Sequence, residues 1–229
     1  MIGDIDNYVQ LATTAICTNT ALFRAVRFRD RRWALLGLFS GIFFLGTLYY
    51  EIFFLFYDET PFYTSIADLS WYTSYVFLLL LLIYVNVKNR EQDGNPGTFV
   101  EMDRSILAWA RRSNPLIWGV PVFTIAMFAV FIQRGDYVLN TIVLLMMTGI
   151  LWHAVYGLLS IRNNSERKER QQMLFFVAIL FCFIEYALWI VSMFFWTGYT
   201  VTNIYFWIDF LLSASFLLFI PAVGKLVRP

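Results

Sequence analysis

Charge is scarce in this sequence. Asp, Glu, Lys and Arg make up 14% of its 229 residues, while 59% are hydrophobic and 20% aromatic. Soluble globular chains carry roughly 25% charged residues. So few polar side chains cannot cover a core of this size in water, and lipid is the solvent that tolerates such a surface. The net charge of +1 leaves no electrostatic footprint for nucleic acid. Histidine occurs once and cysteine twice. A metal centre needs three or four ligands at fixed geometry, so neither a metal nor any other cofactor is expected. Cys17 and Cys182 each sit inside an apolar run and read as small buried hydrophobes rather than a disulfide. HExxH, GxSxG, Walker A and GxGxxG are all missing, and no nucleophile–base pair can be assigned, which argues against an enzyme. The first six residues are acidic, with Asp4 and Asp6. A secretory signal would begin with positive charge, so the first hydrophobic segment is expected to stay in the mature protein.

What is present is a series of apolar stretches. A bilayer core takes about 20 apolar residues in a helix, and seven stretches meet that length, near 8–27, 33–56, 66–87, 115–133, 137–160, 171–196 and 202–226. The first is the least apolar, with Thr13, Thr14, Thr18, Asn19 and Thr20. The fourth opens on Pro115, a good first helical residue. The expected fold is an all-α integral membrane protein, one seven-helix domain over 1–229.

Basic residues set its orientation. Sixteen of the 17 Lys and Arg fall in the segments before helices 2, 4 and 6 and in the C-terminal tail; only Arg134 lies on the other side. The positive-inside rule makes the basic side cytoplasmic, which puts the N-terminus outside and the C-terminus in the cytoplasm. The expected location is a cell membrane, crossed several times. The other side is acidic or neutral, with Asp58, Glu59 and Asp136, and is crowded by Tyr49, Tyr50, Tyr57, Tyr63, Trp71 and Trp196, as an interfacial aromatic belt would be. The long loop 88–114 contains Gly94, Pro96 and Gly97, then Thr98-Phe99-Val100-Glu101, which fits a helix capping box. Apolar Phe99, Met102, Ile106 and Ala110 alternate with charged Asp103, Arg104, Arg111 and Arg112, and predict an interfacial helix over about 99–112 on the cytoplasmic surface. A shift of 136 residues lays Trp71 on Trp207 and helices 1–3 on helices 5–7, in the same orientation. That is a possible 3+1+3 parallel repeat, with helix 4 as the linker.

A charge at mid-bilayer costs about 2.5–3.5 kcal/mol on insertion scales, so such residues face the bundle interior and mark function. Five stand out: Glu51, Asp68, His153, Glu185 and Asp209. From the helix rise, Glu51 and Asp68 lie ~5–8 Å below the outer surface, Asp209 ~10 Å, Glu185 ~16 Å and His153 ~24 Å. Helical spacing places Thr47 with Glu51, Tyr72 and Tyr75 with Asp68, Trp189 with Glu185, and Ser213 with Asp209. If these faces converge they form an outward-facing cavity of carboxylates and aromatic rings. Such walls suit a cation or an amine. The expected ligand-binding residues are Asp209, Glu185, Glu51, Asp68, His153, Tyr72, Trp189 and Trp207. The structural alternatives are a solvated headgroup position for Glu51 and Asp68, an interhelical hydrogen bond for Glu185, and a satisfied donor role for His153.

Seven spans, Tyr- and Trp-rich outer ends, basic inner loops and Asp68-Leu69-Ser70-Trp71 leading into Val76 to Ile83 resemble the seven-transmembrane sensor modules attached to bacterial histidine kinases and diguanylate cyclases. The resemblance covers the chain at the level of topology. It implies a sensor; joined to the acidic and aromatic cavity, the expected protein is a receptor for a small cationic or amphipathic ligand, with Glu185 and Asp209 as charge partners and Trp189, Tyr72 and Trp207 as walls. The sequence reaches Pro229 without an effector domain, so this reading expects a separate cytoplasmic effector, addressed through loops 88–114 and 161–170. The layout also resembles the three-plus-one-plus-three vitamin and sugar facilitators, although their Pro-Gln turns are missing here. A transporter using the same cavity, and a subunit of a larger membrane complex, are the two alternatives.

Overall fold

The computed structural model describes residues 5–57, 65–92, 115–132, 137–160, 165–195 and 202–227. Among these residues every regular element is a helix. Seven α-helices occur: α1 (Ile5–Phe28), α2 (Arg31–Tyr57), α3 (Ile66–Gln92), α4 (Gly119–Phe131, entered through a 3-10 turn at Pro115–Trp118), α5 (Tyr137–Ser160), α6 (Ser165–Phe194) and α7 (Ile204–Val227). Five of them, α2, α3, α5, α6 and α7, are long and apolar enough to cross a membrane. Their outward faces expose Leu45, Leu55, Leu145, Phe176, Phe183 and Leu211, a surface that lipid wets and water does not. This is a multi-pass membrane protein. The helix expected at about 99–112, and Arg134, Asp58, Glu59 and Asp136, lie outside the described residues.

The helices run past the apolar stretches that signal them. α6 starts at Ser165, before the apolar run, because Glu166 to Gln172 is a run of strong helix formers. α1 starts at Ile5 and takes Asp6 into its first turn, where a carboxylate complements the helix dipole. Arg29, just past its end, adopts φ 49°, the left-handed geometry that closes a helix. Asp30 then turns the chain. Burial pushes the Asp30 carboxyl up, but hydrogen bonds and charge from Arg32, with the Trp33 amide, outweigh it and hold the group below its ordinary range. Arg32 also donates to the carbonyl of Leu226 at 2.7 Å, which ties the α1–α2 corner to the end of α7. A depressed carboxyl contributes stability above its unfolded pKa, near 3.9, and loses it as pH falls. Unfolding midpoints measured from pH 6 to pH 2 should therefore drop more for the wild type than for Asp30→Asn. Equal slopes would remove Asp30 from the clasp.

The upper end of the bundle holds Ile5, Tyr57, Ile66, Tyr137, Phe194 and Ile204; the lower end holds Phe28, Arg31, Gln92, Ser160, Ser165 and Val227. Every Lys and Arg among the described residues lies at or near the lower end. Around the bundle the helices pair in the order α1, α2, α3, α5, α6, α7 and back to α1. α4 stands outside this ring, against α5, where Thr124 and Thr148 share a hydrogen bond of 2.8 Å. Because α4 is displaced, α3 meets α5 in parallel; α7, which runs the same way as α1, meets it in parallel too.

The middle of the ring is filled by phenylalanine. Phe39 of α2 stacks on Phe216 of α7 at 5.1 Å between centroids, and Phe181 of α6 meets both edge-on at 5.4 and 5.7 Å. Phe219 lies 5.4 Å from Phe39. All four are fully buried. These offset and edge-to-face contacts satisfy the ring quadrupoles.

Candidate functional site

Above this phenylalanine cluster the ring opens into a cavity of about 310 Å³. That volume falls in the range of small-molecule sites. Its wall comes from α1, α2 and α3 on one side and from α6 and α7 on the other. Asp6, Asp68, Glu185 and Asp209 line it, and no Lys, Arg or His is among the described lining residues. Trp71, Tyr72, Tyr75, Trp189 and Tyr205 supply aromatic surface. Asn7, Asp68, Ser192 and Tyr205, all partly exposed, sit toward the upper end.

A chain of hydrogen bonds crosses four helices at one level. The Trp71 indole N–H donates to Thr47 Oγ1 at 3.3 Å. The Thr47 hydroxyl donates to Gln10 Oε1 at 2.8 Å. The Gln10 amide then donates to Asp209 Oδ1 at 3.1 Å. Every donor points along the chain toward Asp209, so the carboxyl is held as an acceptor with one fixed rotamer. The approach of α3 to α2 at this level depends on Gly46: a Cβ there would lie 2.9 Å from the Trp71 ring and 3.0 Å from the Ala67 carbonyl oxygen.

Deeper, the Tyr75 hydroxyl donates to Glu185 Oε1 at 2.9 Å. Glu185 and Asp209 are each 4% exposed. Each uses one oxygen in the bond just described, and the other oxygen meets no protein donor among the described residues. A buried carboxyl half-satisfied by protein is costly unless something in the cavity completes it. The arrangement can take a cation, an ammonium group or a proton.

The chain matches no family model, no curated protein and no solved structure.

Of the residues singled out in the sequence, Asp68, Tyr72, Glu185, Trp189 and Asp209 line the cavity, and Glu51, His153 and Trp207 do not. Trp207 is 58% exposed on the outer surface of α7. It lies two positions before Asp209, a turn of about 200°, so the helix cannot present both to the same side. His153 is buried on α5, its backbone carbonyl accepting from Asn86 Nδ2 at 2.9 Å, and α5 contributes nothing to the wall. Glu51 is half-buried on α2, one residue past the lining Tyr50 and therefore turned ~100° from it. Asp68 lines the cavity but is already engaged. Its Oδ2 accepts from the Ser65 backbone N–H at 3.0 Å and from the Ser65 hydroxyl at 3.3 Å, a capping arrangement at the start of α3. Asp68→Ala should cost about 1 kcal/mol of stability in detergent unfolding, more than Asp68→Asn.

Asp6, Gln10 and Tyr205 are lining residues that the sequence reading left aside. The signal for the first two exists in Asp6, Gln10, Thr13, Thr14, Cys17 and Ala21, which α1 buries. Their three- and four-residue spacing is that of one helix face. Starting the first helix at residue 8 hides it.

Proposed function

We propose that this protein is a membrane receptor that binds a small organic cation, or an amphipathic amine, in the cavity above the phenylalanine cluster. The observation that carries this is the pair Glu185 and Asp209, two buried carboxyls aimed into an aromatic-walled cavity with no basic residue among its described lining residues. Ammonium binds such a site by charge-assisted hydrogen bonds and cation–π attraction. The clustering of Lys and Arg at the lower end supports a seven-span topology with that end cytoplasmic and the cavity opening outward. The closed phenylalanine layer below supports a receptor, in which occupancy shifts helices instead of passing the ligand. A separate cytoplasmic partner would read that shift at the lower end.

A transporter is the second reading, favoured by one specific feature. The cavity lies between α1–α3 and α6–α7, and the two parallel contacts, α3 with α5 and α7 with α1, are those expected of two three-helix halves. Transporters place substrate at such an interface.

The test is thermal unfolding of the purified protein in detergent against a panel of amines and organic cations. A ligand at a hundredfold over its Kd should raise the melting temperature by about 5–10 °C. Asp209→Asn keeps an oxygen for Gln10 and should fold, yet show a smaller shift at the same ligand concentration. If no cation moves the midpoint, the receptor and transporter readings both fail. If one does, uptake into liposomes separates them.

A further inference from the structure

The carboxylates of the cavity stand at different depths, and the hydrogen bonds register them. Trp71, Thr47, Gln10 and Asp209 share one level through their bonds. Tyr75 lies four residues farther along α3 than Trp71 and is bonded to Glu185, so Glu185 sits ~6 Å deeper than Asp209. Asp6 lies four residues before Gln10 on α1, so it sits ~6 Å shallower. Three carboxylates thus descend the cavity in steps of about one helical turn. Among the described residues no three acidic, His or Cys side chains come close enough to hold a metal ion.

The geometry points to a linear aliphatic diamine or polyamine as the ligand, one ammonium on Asp209 and the next on Glu185, with a third reaching Asp6 in longer chains. This rests on the reading of the cavity as a cation site. Among the described residues Glu185 and Asp209 each keep one acceptor oxygen without a protein donor, and an ammonium brings three donors. Two nitrogens joined by four methylenes are ~6 Å apart when extended, at a little over 1 Å per bond as in an extended chain, which equals one step. Tyr72 and Trp189 line the same cavity and offer aromatic faces to the methylene chain and to the ammonium groups.

The full-length protein in detergent would be titrated with putrescine, butylamine and the diamines of two and eight methylenes, at equal ionic strength, following the melting temperature. Putrescine should bind roughly tenfold or more tighter than butylamine, the value of a second charge-assisted hydrogen bond, and tighter than the two-methylene diamine. Glu185→Gln and Asp209→Asn, each preserving shape and an acceptor for its protein donor, should each bring putrescine down to the affinity of butylamine. Equal binding of butylamine and putrescine, or no effect of either substitution on their ratio, would overturn the diamine assignment and leave the cation cavity standing. Silence from every amine would overturn both.

Discussion

Phe181→Ala is expected to cost about 2–3 kcal/mol of stability. Phe181 is fully buried and touches Phe39, Tyr75, Phe216 and Phe219. In a water-soluble core Phe→Ala costs about 3–5 kcal/mol, part of it transfer from water. Inside a bilayer that transfer part is small, because a helix separated from its neighbours still leaves its side chain in an apolar solvent. What remains is lost packing, at about 24 cal/mol per Å³ of cavity, which leads to the smaller figure. The loss has a functional side. Phe181 stands one turn below Glu185 on α6 and beside Tyr75, so its removal deepens the cavity beneath the lower carboxylate. Selectivity among amines should shift toward longer chains. Reversible unfolding in mixed micelles measures the stability term; a change under about 0.5 kcal/mol would mean that the aromatic cluster does not hold the ring together.

Gly46→Leu should be more disruptive than its position on a lipid-facing helix suggests. The added Cβ alone would meet the Trp71 ring at 2.9 Å and the Ala67 carbonyl at 3.0 Å. The second neighbour is backbone, so α2 and α3 must separate for the side chain to fit. Overpacking of this kind costs about 1–3 kcal/mol. The separation also lifts Trp71 from Thr47, and with it the chain of donors that ends on Asp209. Ligand affinity should therefore fall along with stability. Gly119→Ala is the internal control, since a Cβ there meets nothing within 4 Å, and its unfolding midpoint should be unchanged or slightly raised. If Gly46→Leu unfolds like that control, the close approach of α2 to α3 is not needed.

Much of the arrangement was legible in one dimension. Seven apolar stretches announce seven helices because a helix is the one open structure that satisfies its own backbone in lipid. Glu185 and Asp209 drew attention for the same reason: an ionisable side chain far inside an apolar run needs a partner or a cavity. Asp68 was ambiguous, and its bonds to Ser65 explain why. A carboxylate three residues into a helix looks the same in sequence whether it caps, binds or does both.

Other parts were not legible. Trp207 shared the aromatic character of Trp189, yet only the direction of each helix face separates them, with one ring outside α7 and the other in the cavity wall. Gln10 and Asp6 gave little sign of importance, because the first helix reads as the least apolar stretch and its polar stripe matters only once α1 closes the ring against α7.

The residues alone determined that this chain would be helical, would bury itself in lipid and would carry a few costly acids inside its apolar segments. Those are consequences of composition and period, which each segment expresses by itself. The ring order, the exclusion of α4 from it and the meeting of Asp209 with Gln10 were decided only in the tertiary structure. They depend on which helix faces pack together. In a bilayer that choice is made by small residues such as Gly46, by interlocking rings such as Phe39, Phe181 and Phe216, and by a handful of hydrogen bonds between segments far apart in the chain.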